Sequence, residues 1–319
     1  MILLVVLVIV SVYRLSMSSV NAGIQMQENT QETNGIPTAA SYRRYSTSDE
    51  MRYILYGAGE QFSLYDRQLL DYIRSHVTQQ SLTRPRRLKK MQNITDASQV
   101  GQSTFVDSLL SGRRDGFFIE CGAADGESVS NSLFFELQRN WTGLLIEANP
   151  DYYRALLDMN RRAYVLGSCL STERRPATVR IQPAGILSGI ADKMHPAHVA
   201  FIGSRKKQEV EANCFPLNAI TAALGISHVD YLSLDVEGPE LEILRTLDWT
   251  QLYVDVITVE YRIRAKRKID TRETLKKLKD LRLFFQATGI YKEVGVLPRG
   301  SDVFGLDVVF SHTRTIPKL

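Results

Sequence analysis

From about residue 100 onward, short apolar runs alternate with amphipathic stretches. GFFIEC (116–121), TGLLIEAN (142–149), AYVLGSC (163–169), VDYLSLDVEG (229–238) and VDVITVEY (254–261) are near-continuous apolar segments, the pattern of strands covered on both faces. Between them SNSLFFELQRN (130–140), PDYYRALLDMN (150–160), LNAITAALG (217–225) and PELEILRTLD (239–248) place apolar residues at helical spacing. Two of these begin on proline, which suits a first helical turn. DTRETLKKLKDLRLFFQATG (270–289) predicts a long helix that ends on Gly289. YKEVGVLP and GLDVVF add two strands, and ATVRIQP and EANCFPL predict more in a less regular region. Strands separated by helices predict an α/β domain over residues 100–312, with a mostly parallel sheet between helical layers.

The first hundred residues read differently. MILLVVLVIVSVY is short for a membrane span, which needs about 20 apolar residues. It suits a signal peptide, or a signal anchor if Ser16 to Val20 complete the span, so residues 1–20 are expected to direct entry into the secretory pathway. Residues 21–52 are polar with little periodicity, and with the short apolar run YILY that follows, residues 21–62 read as a flexible stalk. Within them Gly57 and Gly59 imitate a dinucleotide loop but lack its third glycine. Residues 63–99 comprise an amphipathic helix, SLYDRQLLDYIRSHV, and the basic run RPRRLKK, read as a solvated linker. Asn93 stands in a sequon within that linker, and a second sequon at Asn140 sits in a tight connection where chance accounts for it.

A net charge of +4 and a pI near 8.9 are too mild to argue for nucleic acid. Three cysteines exclude a disulfide-dense scaffold, although Cys169 and Cys214 would mark an oxidising compartment if they paired. Cys121 is expected to be buried. His195 and His198 in HPAH lack a third evident ligand and read as a loop, so no metal centre is assigned there.

Candidate chemistry gathers where the strands end. In an open α/β sheet, ligands bind at the carboxyl ends of strands beside the topological switch point. The first strand ends in ECGAADGE, with Glu120, Gly122, Ala123, Asp125 and Gly126 as candidate cofactor-loop residues. Gly122 would let a ligand approach the backbone, and amides near the next helix could receive a carboxylate. Glu147, ending the second strand, could accept two ribose hydroxyls. Glu120 and Glu147 would then bracket one nucleoside, which points to S-adenosylmethionine (SAM). Asp235 and Glu237 in SLDVEGPE are the candidate catalytic residues. Alternation along the strand would put them on one face, as base, substrate anchor or hard-metal ligand. The plainer reading has Asp235 capping the next helix. Glu260 and Tyr261 would share the same rim.

ECGAADGE, LLIEANP, SLDVEGPE and ITVEY, in this order, resemble the FkbM-type methyltransferase family, and within it the Star group of animal proteins. The resemblance implies a class I SAM-methyltransferase-like, Rossmann-like fold with a seven-stranded sheet whose last strand is antiparallel. It implies a SAM loop at Glu120, Gly122 and Gly126, a ribose contact at Glu147, and a substrate side at Asp235 and Glu237. It departs from the enzyme pattern at Ser233, where FkbM enzymes typically carry lysine, and at Asp125, where asparagine is common. Star proteins are membrane proteins of the secretory route, implicated in moving epidermal growth factor receptor ligands from endoplasmic reticulum to Golgi. Two readings follow: a SAM-dependent O-methyltransferase acting on a hydroxyl or carboxyl, and a secretory-pathway protein whose fold binds protein cargo. The second expects the endoplasmic reticulum or Golgi, membrane or lumen, with the plasma membrane or endosome as further stations.

Overall fold

The computed structural model describes residues 63–89, 96–265, 268–298 and 305–315. The N-terminal apolar run, the stalk, the glycine pair at 57 and 59 and the Asn93 sequon lie outside them. None of the described helices is long and apolar enough to cross a membrane.

The chain enters with α1 (Arg67–His76) and β1 (Val77–Gln79), then α2 (Gln102–Leu109) and β2 (Phe117–Cys121). It continues through α3 (Leu133–Gln138), β3 (Thr142–Ile146), α4 (Pro150–Met159) and β4 (Tyr164–Leu166). An excursion follows, with β5 (Cys169–Leu170), β6 (Ala177–Gln182), β7 (Gly189–Ile190), α5 (Pro196–Ile202) and β8 (Val210–Phe215). The core resumes with α6 (Leu217–Ala223), β9 (His228–Leu234), α7 (Glu240–Thr246) and β10 (Tyr253–Glu260). The chain closes with β11 (Arg264–Ala265), β12 (Lys268–Ile269), α8 (Thr271–Thr288), β13 (Tyr291–Leu297) and β14 (Asp307–His312).

One eight-stranded sheet runs in the order β1-β4-β3-β2-β9-β10-β14-β13. Pairing is parallel from β4 through β10. It is antiparallel where β14 inserts between β10 and β13, and again at β1. The sheet is therefore mixed. The seven strands expected from the sequence are present, and β1 is an addition: three residues, VTQ, too short for a period-2 signal.

Alternation along each strand feeds two apolar layers. Ile119, Leu144, Leu232 and Ile257 pack with Leu69 and Ile73 of α1, Ile220 of α6, Leu244 of α7 and Phe285 of α8. Phe118, Leu145, Tyr231 and Val256 face Phe105 of α2, Phe135 of α3 and Leu156 of α4. Local signals set the helix ends. The Asn149 side chain accepts from the Asp151 amide ahead of Pro150, and Gly289 terminates α8 in the left-handed region. The excursion forms its own sheet, β5-β8-β6-β7, in which Cys169 and Cys214 are register partners joined by a disulfide.

Residues 63–89 are part of this domain. α1 packs on α6, and β1 covers the open edge of β4. The basic run is not a solvated linker. Arg86 pairs with the buried carboxylate of Glu136, and the Arg87 amide donates to the Met159 carbonyl at 2.9 Å. Glu136 also receives the fully buried Arg161 Nε at 2.7 Å. Burial alone would raise the Glu136 pKa, but Arg161 and Arg86 outweigh it and hold it below its ordinary value. That part of the stability is present above the ordinary carboxylate range and is lost as pH falls through the depressed pKa. Glu136→Ala strands two guanidinium groups and should cost about 3–5 kcal/mol in urea denaturation. An exposed pair such as Arg154 with Asp151 should move less than about 1 kcal/mol in the same assay.

Candidate functional site

Chain order reverses between β2 and β9: β3 and β4 lie to one side of β2, while β9 and β10 lie to the other. A cleft opens at the carboxyl ends of β2, β3 and β9, lined among others by Glu120, Asn131, Glu147, Cys169, Asp235 and Glu237. Its position is the switch point expected for an open α/β sheet. The Ile186–Ile190 segment forms its outer wall.

The loop after β2 is held from within. Glu120 is buried and accepts from Ser130 Oγ (2.8 Å), the Asn131 amide (2.7 Å) and Ser132 Oγ. It lines the cleft, but its carboxylate is committed to shaping the loop. Asp125 accepts from the Glu127 and Ser128 amides, at 3.0 and 2.7 Å, and from Ser128 Oγ; it closes a turn and does not line the cleft. The Gly122 and Ala123 amides both donate to the Ile146 carbonyl.

The two loop glycines answer to the protein, not to a ligand. A Cβ on Gly122, at φ +83°, would lie 1.9 Å from the Asp235 carbonyl oxygen, so glycine lets the β2 and β9 exits pass. A Cβ on Gly126 would lie 2.3 Å from Leu156 Cδ1, and the Gly126 carbonyl accepts from Arg161. The expectation that Gly122 clears room for a ligand is thus corrected: its backbone faces the cleft, while the missing side chain faces β9.

Glu147 stands where the sequence predicts it, buried at the end of β3 and facing the cleft. Its oxygens accept from the Ala124 amide at 2.8 Å and the Asn149 amide at 2.7 Å. A carboxylate offers about four acceptor positions, so capacity remains for hydroxyl donors. Burial pushes its pKa up to about 7, against these amides, which pull it down. Beside it lies a residue the sequence did not single out. Asn131 donates to Ser233 Oγ at 2.9 Å, while its buried Oδ1 has no hydrogen-bond partner. Asn131 is among the residues that line the cleft, so a buried acceptor left without a partner lies at its wall.

Asp235 and Glu237 both line the cleft, but not through strand alternation. β9 ends at Leu234, and Glu237 sits at φ +61° in the turn that follows. Asp235 does not cap α7. No side chain caps that helix; Glu240, its first residue, instead braces the preceding turn, its Oε1 accepting from the Val236 and Gly238 amides at 3.2 and 3.1 Å. Burial raises the Asp235 pKa to about 6. Burial and the Asp235 charge raise Glu237 well above its ordinary range, and burial with both neighbours does the same for Glu260. Tyr261 points into the core instead of the rim. HPAH is not a loop: His195 caps α5, and buried His198 lies 3.3 Å from Glu237. Burial lowers the His198 pKa. Burial also raises the Cys121 thiol pKa far above its ordinary value, which keeps it un-ionised.

Gly122→Ala should lose more than about 3 kcal/mol, or fail to fold, because the clash is with backbone. Glu147 gives a pH test. Folded, it keeps its proton to about pH 7, against an ordinary value of 4.5. Its contribution to stability is therefore present below 4.5 and lost as pH rises through 7. Thermal melts across this window should flatten measurably in Glu147→Gln.

Residues 120–289 match the model of the Methyltransferase FkbM domain. The methyltransferase FkbM of Methylobacillus flagellatus KT is 16% identical over 61% of this chain, with a TM-score of 0.36; the chain spans 43% of that protein. The fibrillarin pre-rRNA processing protein of Methanococcus jannaschii is 16% identical, with 63% and 67% of the two chains covered and a TM-score of 0.34. The plantazolicin methyltransferase BpumL, solved with SAH, is 10% identical, with 66% and 82% covered and a TM-score of 0.35. No curated protein gives a significant match. With more than half its length matched, the chain belongs to the FkbM methyltransferase domain family, whose fold is that of SAM-dependent methyltransferases.

Proposed function

We propose that this protein binds SAM in the cleft and carries out O-methylation of a hydroxyl or carboxyl acceptor. The observation that carries the reading is the shared cleft. Glu147, Asn131 with its unpartnered Oδ1 and the Asp235–Glu237 pair all belong to its lining. The residues present fit the cofactor. Glu147 would hold the ribose hydroxyls, and Asn131 Oδ1 would accept from the amino group of the methionine moiety. When bound, SAM supplies an electrophilic methyl group. The protein then has to align the acceptor and remove its proton. Asp235, with a pKa near 6, is tuned to take that proton close to neutral pH. Glu237 beside it would orient the acceptor.

Calorimetric titration of SAM into the full chain tests the reading, with Glu147→Ala as control. Micromolar binding, weakened at least tenfold in the variant, is the expected result. Affinity should rise as pH passes through about 7, because the ionised form of Glu147 is the one that accepts both hydroxyls. Methyl transfer to an acceptor should vanish in Asp235→Ala. A folded sample that binds no SAM overturns the proposal.

One observation favours a second reading, a Star-like protein of the endoplasmic reticulum and Golgi that handles protein cargo for vesicle transport. Cys169 and Cys214 are bonded, and such bonds persist in oxidising compartments. Ser233 in place of the family's lysine is consistent with a fold kept for binding. The apolar N-terminal run would give entry or anchorage at the membrane. Protease protection of the tagged full chain in microsomes is the expected outcome; a cytosolic location sinks this reading.

A further inference from the structure

We propose that the Cys169–Cys214 disulfide is a redox clamp on the cleft: reduction by a small thiol frees the excursion that forms the outer wall, while the eight-stranded sheet stays folded. The two cysteines, 45 residues apart, join β5 to β8 as register partners. Between them run β6, β7 and α5, and with these the Ile186–Ile190 wall and His198 beside Glu237. The wall therefore sits in a loop whose two ends the bond ties together. The Asn149 side chain, which donates to Ser188 Oγ at 2.9 Å, is one of the few polar ties from that wall to the sheet exits.

The excursion has little else to hold it. β5 and β7 are two residues each. One of its apolar clusters is Cys169, Ile181, Ile190, Ala212 and Cys214, so the bonded pair supplies two of the five buried side chains. The other, Ala184, Leu187, Met194 and Ile202, joins the wall segment to α5. Cores of this size do not stabilise a unit alone, and a cross-link then carries much of the order. The main sheet has its own apolar layers on both faces. Leu170 and Phe215, next to the cysteines, belong to one of them, so the roots of the excursion stay anchored and the release falls on β6, β7 and α5. Loss of the bond is therefore a local opening, not global unfolding.

The cleft is also the way in. Cys214 has no solvent exposure, whereas Cys169 is 7% exposed and lines the cleft. A thiolate entering there attacks Cys169 Sγ, forms a mixed disulfide and expels Cys214 as a thiolate, which takes up a proton. A second thiol then displaces Cys169. Two small thiols end as one disulfide, and the protein pair gains two electrons and two protons. A ligand that fills the cleft covers Cys169, so occupancy and reduction oppose each other. That last consequence, with SAM as the ligand, rests on the SAM-binding reading; the release of the wall does not.

Hydrogen–deuterium exchange of the full chain, read by mass spectrometry before and after dithiothreitol, tests the clamp without SAM. The chain has three cysteines and Cys121 is a buried free thiol, so the reductant has one bond to break. Peptides within 177–202 should exchange about tenfold faster or more after reduction, while β2, β9 and β10 keep their protection. Cys169→Ser combined with Cys214→Ser should match the reduced chain and ignore dithiothreitol. A bond that millimolar dithiothreitol leaves intact in the folded chain overturns the proposal. So does unchanged exchange over 177–202 in the reduced chain, or loss of protection in β2 and β9 along with it. SAM titrated into both forms should bind the oxidised one more tightly. An oxidised chain that binds no SAM counts against the SAM reading alone and leaves the exchange result standing.

Discussion

A single guanidinium without solvent contact organises this domain. Arg161, just past α4, holds Glu136 of α3, the Gly126 carbonyl, and the Ser130 and Ser132 hydroxyls. A buried charge survives only where its donors are met, and here a carboxylate and three neutral acceptors meet them. Glu136 in turn reaches Arg86, so one network joins the loop after β2 to the segment that precedes the domain core. The loop's shape is set from beneath, whatever lies above it.

The cleft divides its acidic groups between two uses. Glu120 and Asp125 are consumed as acceptors for their own loop, and Glu240 braces the turn beside it. Glu147 serves both ends, receiving two amides while facing the cavity. Asp235, Glu237 and Glu260 are left crowded: burial raises all three pKa values, the Asp235 charge adds to the rise at Glu237 and Glu260, and the Glu240 charge adds to it at Asp235. Such clusters are costly as pure structure, and that cost is what brings their proton affinity toward neutral pH.

Much of this was legible in the chain. Near-continuous apolar strands, proline at helix starts and Gly289 at a helix end located most core elements within a few residues. Glu147 was legible because a strand-end acid has a fixed geometric meaning. Gly122 was legible as a necessity but not in its reason, since the clash it avoids comes from Asp235, more than a hundred residues away. Asn131 and His198 were hidden for the same cause: their significance lies in contacts with Ser233 and Glu237 across the fold. The disulfide was left even because spacing alone carries no distance. The basic run misled because its buried partners, Glu136, Met159 and Asn160, lie far along the chain and have no local signature.

The edges of the sheet carry a consequence for how the protein can be divided. β1 occupies one flank of β4, and β13 and β14 occupy the far flank of β10. The segment matched by the family, 120–289, contains none of these three strands. Cut to that segment, which also keeps only Glu120 and Cys121 of the central strand β2, the chain would present raw backbone donors and acceptors along β3, β4, β9 and β10, each a template for pairing with another molecule. The recognisable domain is therefore smaller than the foldable one, and a fragment trimmed to sequence similarity would associate edge to edge.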